Sequence, residues 1–194
     1  MLEGLTGGTL AVPTTVDHSQ GDMEPTGRNF DCAIDGNGFF MVDDQGTQRL
    51  TRNGGFVTDS SGRLVLSDGR GTPVLDVQRK PIVLDGRLDV SIGKDGTISQ
   101  GGQAVARVGV FEIPDEAKLA KHGGTLLNYP EMGEARVSAT SVVRGGFLER
   151  SNVDPATELA QLMQTQRELE ANANMIRYQD QTLARLVNDV AKIG

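Results

Sequence analysis

The chain has 194 residues, 25 of them glycine, with only 4% aromatic residues and a formal net charge of −7 at pH 7. This acidic balance argues against a nucleic-acid binder, because no cluster of Lys and Arg offers a track for phosphates. The single cysteine, Cys32, excludes an intramolecular disulfide and a multi-cysteine metal site, and no apolar run approaches the roughly 18 residues of a membrane span.

The first segment, residues 1–29, is rich in Gly, Thr, Pro and Ser and shows little hydrophobic periodicity. Residues of these types break regular structure and favour loops. We therefore predict an extended arm or linker over residues 1–29, with no compact fold of its own.

The second segment, residues 30–147, alternates short apolar runs with turn signals. Asp-Gly pairs such as Asp95-Gly96 fit type I′ hairpin turns, because glycine tolerates positive φ. The pattern predicts a compact all-β domain, either a sandwich or a small barrel of hairpins, with a first hairpin turning at residues 35–38. Its expected core contains Ile34, Phe39, Val57, Leu64, Val90, Val108 and Val110.

Three local features of this segment carry their own predictions. Residues 104–113 give the clearest strand pattern, and residues 115–121 predict a short helical turn. Cys32 adjoins an apolar run and is predicted to be a small buried hydrophobe rather than a reactive thiol.

The third segment, residues 148–194, is predicted to form one long α-helix of coiled-coil type. Asp154 can cap the first free N–H groups, and Pro155 at the first helical position loses no needed donor. No Gly or Pro interrupts residues 156–192, which are mostly good helix formers.

One face of this helix carries apolar residues at seven-residue spacing, with Leu162 at heptad position d. Gln166 and Asp180 interrupt position a, an arrangement that lowers stability and fixes register. The repeat favours an oligomerisation helix; the alternative is a helix folded back on the β domain. The predicted assembly interface comprises Leu159, Leu162, Leu169, Ile176, Leu183, Val187 and Val190.

Residue types that could carry catalysis or bind a metal ion do not form a recognisable motif. His18 and His122 are far apart in sequence, and neither has the spacing of a zinc-ligand pair. The acidic segments 43–46 and 59–62 lack the closing Glu of a calcium loop, so they predict hairpin turns. We therefore expect no enzyme activity, no cofactor and no metal site.

Four motifs in a fixed order resemble the flagellar hook and basal-body rod proteins. Residues 30–40 resemble the segment that opens the β domain of that family, and residues 50–56 resemble its Tyr-Thr-Arg-x-Gly-x-Phe hairpin. Residues 91–99 and the passage from Gly146 into the helix complete the series. The residues taken as the family motif are Asp31, Ile34, Asp35, Gly36, Gly38, Phe39 and Phe40, followed by Ser151, Asn152 and Val153.

The resemblance implies a structural subunit of the bacterial flagellar basal-body rod, of the proximal or distal type, without catalytic activity. It also implies a β domain beside a core of paired N- and C-terminal helices, of which this sequence matches the β domain and the C-terminal helix and lacks the usual N-terminal helix. The partners it implies are copies of the same chain, homologous rod and hook subunits, and the flagellar export apparatus, with no nucleic acid and no membrane insertion.

The expected location is the rod that spans the periplasm. The N-terminus lacks a basic stretch followed by an apolar one. Export without a cleaved signal peptide is therefore expected.

A second function, from a different class, stays open at this point. The chain could be a non-enzymatic β-rich ligand-binding module with an oligomerising C-terminal coiled coil. Such a module should expose aromatic residues in its loops. The rod subunit is the preferred interpretation, because five of the six phenylalanines instead lie in or beside strand patterns. These five are Phe39, Phe40, Phe56, Phe111 and Phe147.

Overall fold

The computed structural model of the chain describes residues 19–190, with side chains described as far as residue 185. One compact unit ends at Arg150 and a second begins at Ser151. The second contains the long helix α1, Pro155–Val190. The strands of the first, in chain order, are β1 (Met23–Pro25), β2 (Cys32–Asp35), β3 (Phe39–Asp44), β4 (Thr47–Thr51), β5 (Phe56–Thr58), β6 (Leu64–Leu66), β7 (Val90–Ile92), β8 (Thr97–Gln100), β9 (Gln103–Arg107), β10 (Val110–Glu112), β11 (Ala120–Lys121), β12 (Leu127–Asn128), β13 (Arg136–Val137), β14 (Val142–Gly145) and β15 (Phe147–Glu149).

The fold class predicted from sequence, mainly β with one long C-terminal helix, is confirmed. The largest sheet has the strand order β11-β12-β4-β3-β10-β13, and the sheets of the described residues do not close into a barrel. The helical turn expected at residues 115–121 is present as a 3-10 helix, Glu116–Lys118, and a second 3-10 helix covers Met132–Glu134.

Three predicted hairpins are confirmed. β3 and β4 pair antiparallel, and Gln45 and Gly46 in their turn have φ of 54° and 84°, as a type I′ turn requires. β5 pairs with β6, and β7 pairs with β8. Each of these turns is short, so the local sequence alone specifies which two strands meet.

The turn at residues 35–38 does not form the hairpin that the sequence predicted. β2 pairs antiparallel with β14, with Ile34 opposite Val143, while β3 pairs with β4 and β10. Gly36 and Gly38 have φ of 114° and 123°, values that glycine adopts readily and other residues rarely do. These two glycines let the chain leave one sheet and enter another.

The run at residues 104–113, predicted as one strand, is divided between two sheets. β9 lies beside β8, whereas β10 lies between β3 and β13. The break falls at Gly109, where a Cβ would lie 2.3 Å from the Phe111 ring and 2.8 Å from the Asp76 carbonyl oxygen. Only glycine allows this close approach. The chain therefore passes from one sheet to the other at Gly109, although the apolar alternation of the sequence continues through it.

The interior of the β unit contains two apolar clusters. Successive side chains of β3 point to opposite faces, so Phe39 and Met41 join one cluster while Phe40 and Val42 join the other. Phe40 and Phe56 form an edge-to-face pair, with ring centroids 5.1 Å apart. β3 is therefore buried on both faces and is the central strand of the unit.

Most of the predicted core residues are buried. Val57 is the error, since it is 39% exposed; Phe56 points into the core, and alternation along β5 turns Val57 outward. Val90 is only partly buried against the first cluster. The residues whose burial is confirmed are Ile34, Phe39, Leu64, Val108 and Val110.

Part of the predicted N-terminal arm is a strand of the β unit. β1 pairs antiparallel with β15, with Met23 opposite Glu149, and the Arg150 N–H donates to the Asp22 carbonyl oxygen at 2.8 Å. Residues 1–18 lie outside the described residues. The backbone just before β1 and the backbone just after β15 therefore leave the β unit side by side.

Helix α1 begins where the sequence predicted. The Asp154 carboxylate accepts from the Ala156 N–H at 3.1 Å and from the Thr157 hydroxyl at 2.8 Å. These hydrogen bonds to the charged form, the Thr157 hydroxyl first, hold the pKa of Asp154 below its usual value. Within its described length α1 offers no apolar stretch long enough to cross a bilayer.

Candidate assembly interface

The apolar column of α1 is exposed along its described length. Val187 and Val190, the last two residues of the predicted interface, lie beyond the described side chains. Burying five large apolar side chains contributes on the order of 10 kcal/mol, at roughly 1.5–3 kcal/mol each, and this contribution requires a covering surface. The five described members are between 53% and 67% exposed: Leu159, Leu162, Leu169, Ile176 and Leu183.

Polar and charged residues interrupt and flank this column. Gln166 and Asp180 occupy position a, and the Gln166 amide donates to the Glu170 carboxylate at 3.2 Å, one turn further along the helix. Glu170 and Arg177 occupy successive e positions, where coiled coils place the charges that select partner and orientation. The column therefore has an apolar d edge and a partly polar a edge.

A second apolar group lies on the opposite side of α1, and the sequence analysis missed it. Ala171, Met175, Tyr178 and Thr182 follow one another at four-, three- and four-residue steps, which places them on one helical face. Met175 and Tyr178 are 59% and 69% exposed. The four-, three- and four-residue spacing in the sequence could have identified this second face, but the sequence prediction used only the seven-residue column on the other face.

The family-motif residue Asp31 is buried at the start of β2. Its side chain is 1% exposed, and its Oδ2 atom accepts from Arg28 Nε at 2.8 Å. The ion pair fixes Arg28, which belongs to the predicted arm, to the β unit. Burial, together with the Asp31 charge, raises the pKa of the neighbouring Cys32 thiol to about 12, so Cys32 is a buried and unreactive thiol, as predicted.

The other motif residues around β2 and β3 have packing and turn roles. Asp35 binds Arg144 of the neighbouring strand β14 at 2.6 Å. A Cβ at Gly38 would lie 3.0 Å from the Val110 side chain and 3.1 Å from the Phe111 carbonyl oxygen. Three more motif residues are fully buried in the core, namely Ile34, Phe39 and Phe40.

The motif residues before α1 shape the entry to the helix. The Ser151 hydroxyl oxygen accepts from the Val153 N–H at 3.3 Å, a local turn that precedes the Asp154 cap. Val153 is 51% exposed, and Asn152 follows Ser151 in the same turn. This short polar turn separates the last strand from the first helical residue.

A polar cluster joins the arm, the end of β15 and the interior of the β unit. Glu149 accepts from the Gly21 N–H at 3.0 Å and from Arg52 Nη1 at 3.4 Å. The same Arg52 nitrogen donates to the Gly36 carbonyl oxygen at 3.1 Å, and the guanidinium lies 5.2 Å from the centre of the Phe39 ring. The side chains of Arg52 and Glu149 are only 20% and 10% exposed. We call the pair Arg52–Glu149 the latch.

The acidic turns behave as the sequence predicted. Asp43 accepts from the Gly46 N–H at 2.8 Å, and Asp59 accepts from the N–H groups of Ser61 and Arg63 at 2.8 and 2.9 Å. These carboxylates stabilise turns through their own backbone. Among the described residues no group of three or more His, Cys, Asp and Glu side chains is arranged to hold a metal ion.

The surroundings of His122 are polar and open. Its ring is 49% exposed, with Nε2 3.6 Å from the Asp44 carboxylate and 3.3 Å from Arg49 Nη2. Arg70 and Thr72 line the shallow cavity beside it. His122 therefore lies on the surface, as predicted; His18 falls outside the described residues.

Comparison with known families identifies both parts of the chain. The C-terminal domain of the flagellar basal body rod FlgEFG proteins matches residues 144–189, and the D1 domain of the flagellar hook proteins FlgE/F/G matches residues 33–100. The first match contains the turn before α1 and most of α1. The second begins in β2 and ends with β8.

Individual relatives agree with these two matches. The flagellar basal-body rod protein FlgF of Caulobacter vibrioides is 39% identical over 81% of this chain and 64% of its own length. The rod protein FlgG of Bacillus subtilis is 32% identical over 90% of this chain and 71% of its own length, and FlgF of Mesorhizobium japonicum is 31% identical over 84% and 68%. The chain thus spans about two thirds of the length of the curated relatives it matches. It belongs, as its motifs predicted, to the flagellar hook and basal-body rod protein family.

Proposed function

We propose that this chain is a non-enzymatic structural subunit of the bacterial flagellar basal-body rod. The observation that carries the proposal is the exposed apolar column of α1 in a chain of this family. Five large apolar side chains on one helical face are a recurrent feature of helices that pack against other helices. A polymer subunit supplies the covering surface through its neighbours.

The β unit would supply lateral contacts around this helical core. Its apolar core is buried, and the carboxylates of its acidic turns accept hydrogen bonds from backbone N–H groups of the same turns. Its outer surface is therefore available to match neighbouring subunits in shape and charge. In a helical lattice, heterologous contacts that do not close into a ring extend into a tube. The proposed partners are copies of this chain and homologous rod and hook subunits, with delivery by the flagellar export apparatus and no cleaved signal peptide.

The pairing of β1 with β15 supports a proposal in which the segments before β1 and after β15 both contribute to the helical core of the rod. Asp22 and Arg150 are joined by a backbone hydrogen bond, so segments before β1 and after β15 start from the same end of the unit. We propose the division into arm (1–29), outer β domain (30–147) and helical core segment (148–194), noting that β15 spans Phe147–Glu149 across the second boundary.

The ligand-binding module is not favoured. The relatives compared above are rod proteins, and the phenylalanines expected in loops of a binding module are instead core residues at positions 39, 40, 56 and 111. The family-motif residues accordingly have proposed roles in packing and in shaping the entry to α1, and the apolar column has the proposed role of assembly interface.

The proposal is tested by placing a charge in the column. Leu169→Asp or Ile176→Asp should abolish swimming in the bacterium that encodes this chain, because an unpaired charge in a dry seam costs several kcal/mol. The β unit should keep its melting temperature, since these side chains are exposed in the single chain. Gln164→Asp, on the outer f position of the same helix, is the matched control. Swimming retained by both seam variants would show that the column is not an assembly surface.

A further inference from the structure

We propose that two copies of this chain pair in solution through α1 as an antiparallel coiled coil, centred near Ala173 and Ile176. The proposal goes beyond a role in the rod and does not rest on it, because it concerns the purified chain alone. The charges and amides that flank the apolar column favour this orientation over the parallel one.

A parallel pair would place identical residues opposite each other at positions a and d. Asp180 would then face Asp180 of the second copy, a like-charge contact in the seam. In the described part of α1 the e and g positions offer no opposite charges in this orientation, since Glu170 would lie beside Thr165 and Arg177 beside Asn172. The parallel orientation therefore has one repulsion and no compensating ion pair.

The antiparallel orientation pairs position a with position d, and e with e. With Ala173 level with Ile176 of the second copy, Glu170 lies beside Arg177 of the second copy, and the twofold symmetry repeats this pair. Each Asp180 then faces Leu169 of the other copy, which removes the like-charge contact but leaves both carboxylates without an ionic partner in the seam.

The remaining flanking residues agree with this register. Asn172 and Gln179 occupy g positions and lie beside each other across the pair, where their amides can exchange hydrogen bonds. Met163 and Ala184, both at e, also meet, and both are apolar. These three cross-pair contacts are thus matched by charge or by polarity, and the fourth sets Thr165 level with residue 186, beyond the described side chains.

Such a pair has a consequence for assembly. An antiparallel dimer is isologous and closes on itself, whereas a tube grows through contacts that do not close. The dimer would cover the apolar column of both copies and would have to dissociate before either copy joined a polymer. It is a closed form that competes with growth.

Disulfide trapping of two cysteine variants tests the orientation. Gln166→Cys and Leu183→Cys are prepared separately and mixed under oxidising conditions, since the antiparallel register places residue 166 beside residue 183 of the second copy. The expected result is a mixed dimer of one variant with the other, with each variant alone remaining uncrosslinked. Cross-linking of each variant with itself, or no cross-linking in the mixture, would overturn the proposal. The native chain is the control, because buried Cys32 has a pKa of about 12 and stays unreactive.

Charge reversal tests the flanking pairs independently. Glu170→Arg turns two attractions into two repulsions and should weaken the dimer about tenfold in sedimentation equilibrium, by the usual magnitude of exposed helix ion pairs. The double variant Glu170→Arg with Arg177→Glu should restore the native dissociation constant. Arg167→Glu, at the outer b position, is the control and should have no effect. A monomeric native chain, or a double variant as weak as Glu170→Arg, would contradict the register.

Discussion

At some positions of the β unit the neighbouring atoms leave room only for glycine, and at others they would admit a side chain. At Gly54 a Cβ would lie 1.6 Å from the Cys32 carbonyl oxygen, a separation that no side chain can occupy. At Gly133 the same atom would meet nothing within 4 Å. Both glycines belong to loops in the sequence, and only the fold distinguishes the one that is required from the one that is not.

We expect Gly54→Ala to destabilise the β unit by about 3 kcal/mol, because the strand that carries Cys32 must move to admit the methyl group. Gly133→Ala should change stability by less than about 0.5 kcal/mol. Denaturation by urea, followed through a circular dichroism band of the β unit, measures both. Equal stability of the two variants would mean that the approach of residue 54 to β2 is not tight.

The charge of Asp154 makes the start of α1 sensitive to pH. Its pKa is lowered in the folded state by the Thr157 hydroxyl and the Ala156 N–H, so the charged cap stabilises the helix above the ordinary carboxyl pKa of about 4. That stabilisation should be lost as the pH falls through the lowered value. The protection of amides 156–158 against hydrogen exchange, taken as the intrinsic exchange rate divided by the observed rate at the same pH, should therefore fall at low pH.

Asp154→Asn provides the control for this titration. Asparagine caps a helix about as well as aspartate does but carries no charge, so the protection of amides 156–158 should no longer fall below about pH 4. An acid-induced change of equal size in both variants would assign the effect to another group.

At the scale of the element, the sequence predicts the partner of some strands and not of others. Hairpins such as β3–β4 were predictable because the turn at Gln45-Gly46 specifies the partner locally. The pairs β1–β15 and β2–β14 join residues more than a hundred positions apart, and an alternating pattern identifies a strand without identifying its neighbour. The latch was missed for the same reason, since Arg52 and Glu149 give no local signal.

The latch predicts how the arm is held. Glu149→Ala removes the acceptor of the Gly21 N–H and leaves the mostly buried guanidinium of Arg52 without its carboxylate. Amide exchange over residues 20–25 should then become at least tenfold faster, while the exchange of β3 stays slow, because that strand is buried on both faces. Hydrogen exchange with mass spectrometry resolves the two regions.

An exposed ion pair on the same ribbon supplies the matched control. Glu24 lies 3.7 Å from Arg150, and both side chains are more than half exposed, so Glu24→Ala should alter exchange of the arm little. An arm that opens equally in both variants would show that the β1–β15 ladder, and not the latch, is what holds it.

At the scale of the whole molecule, the chain consists of a folded β unit and a helix whose apolar column is exposed. The family was predictable because its motifs are local: the buried residues after Asp31, the glycine turn and the entry to α1 all lie in short segments. The proposed assembly interface was predictable only as a column of residues, since Leu169 and Ile176 are exposed and the described residues offer no surface that covers them. The charges on either side of that column are the basis of the orientation that we propose for self-pairing.

The most direct measurement locates the chain in purified basal bodies. An epitope placed in the exposed turn at residues 68–71, where Gly69 and Gly71 have open space around them, allows gold labelling in the electron microscope. We expect gold on the rod of basal bodies from cells with the tagged native chain, and none when the same chain carries Leu169→Asp. Intact rods that carry no label from the tagged native chain would contradict it.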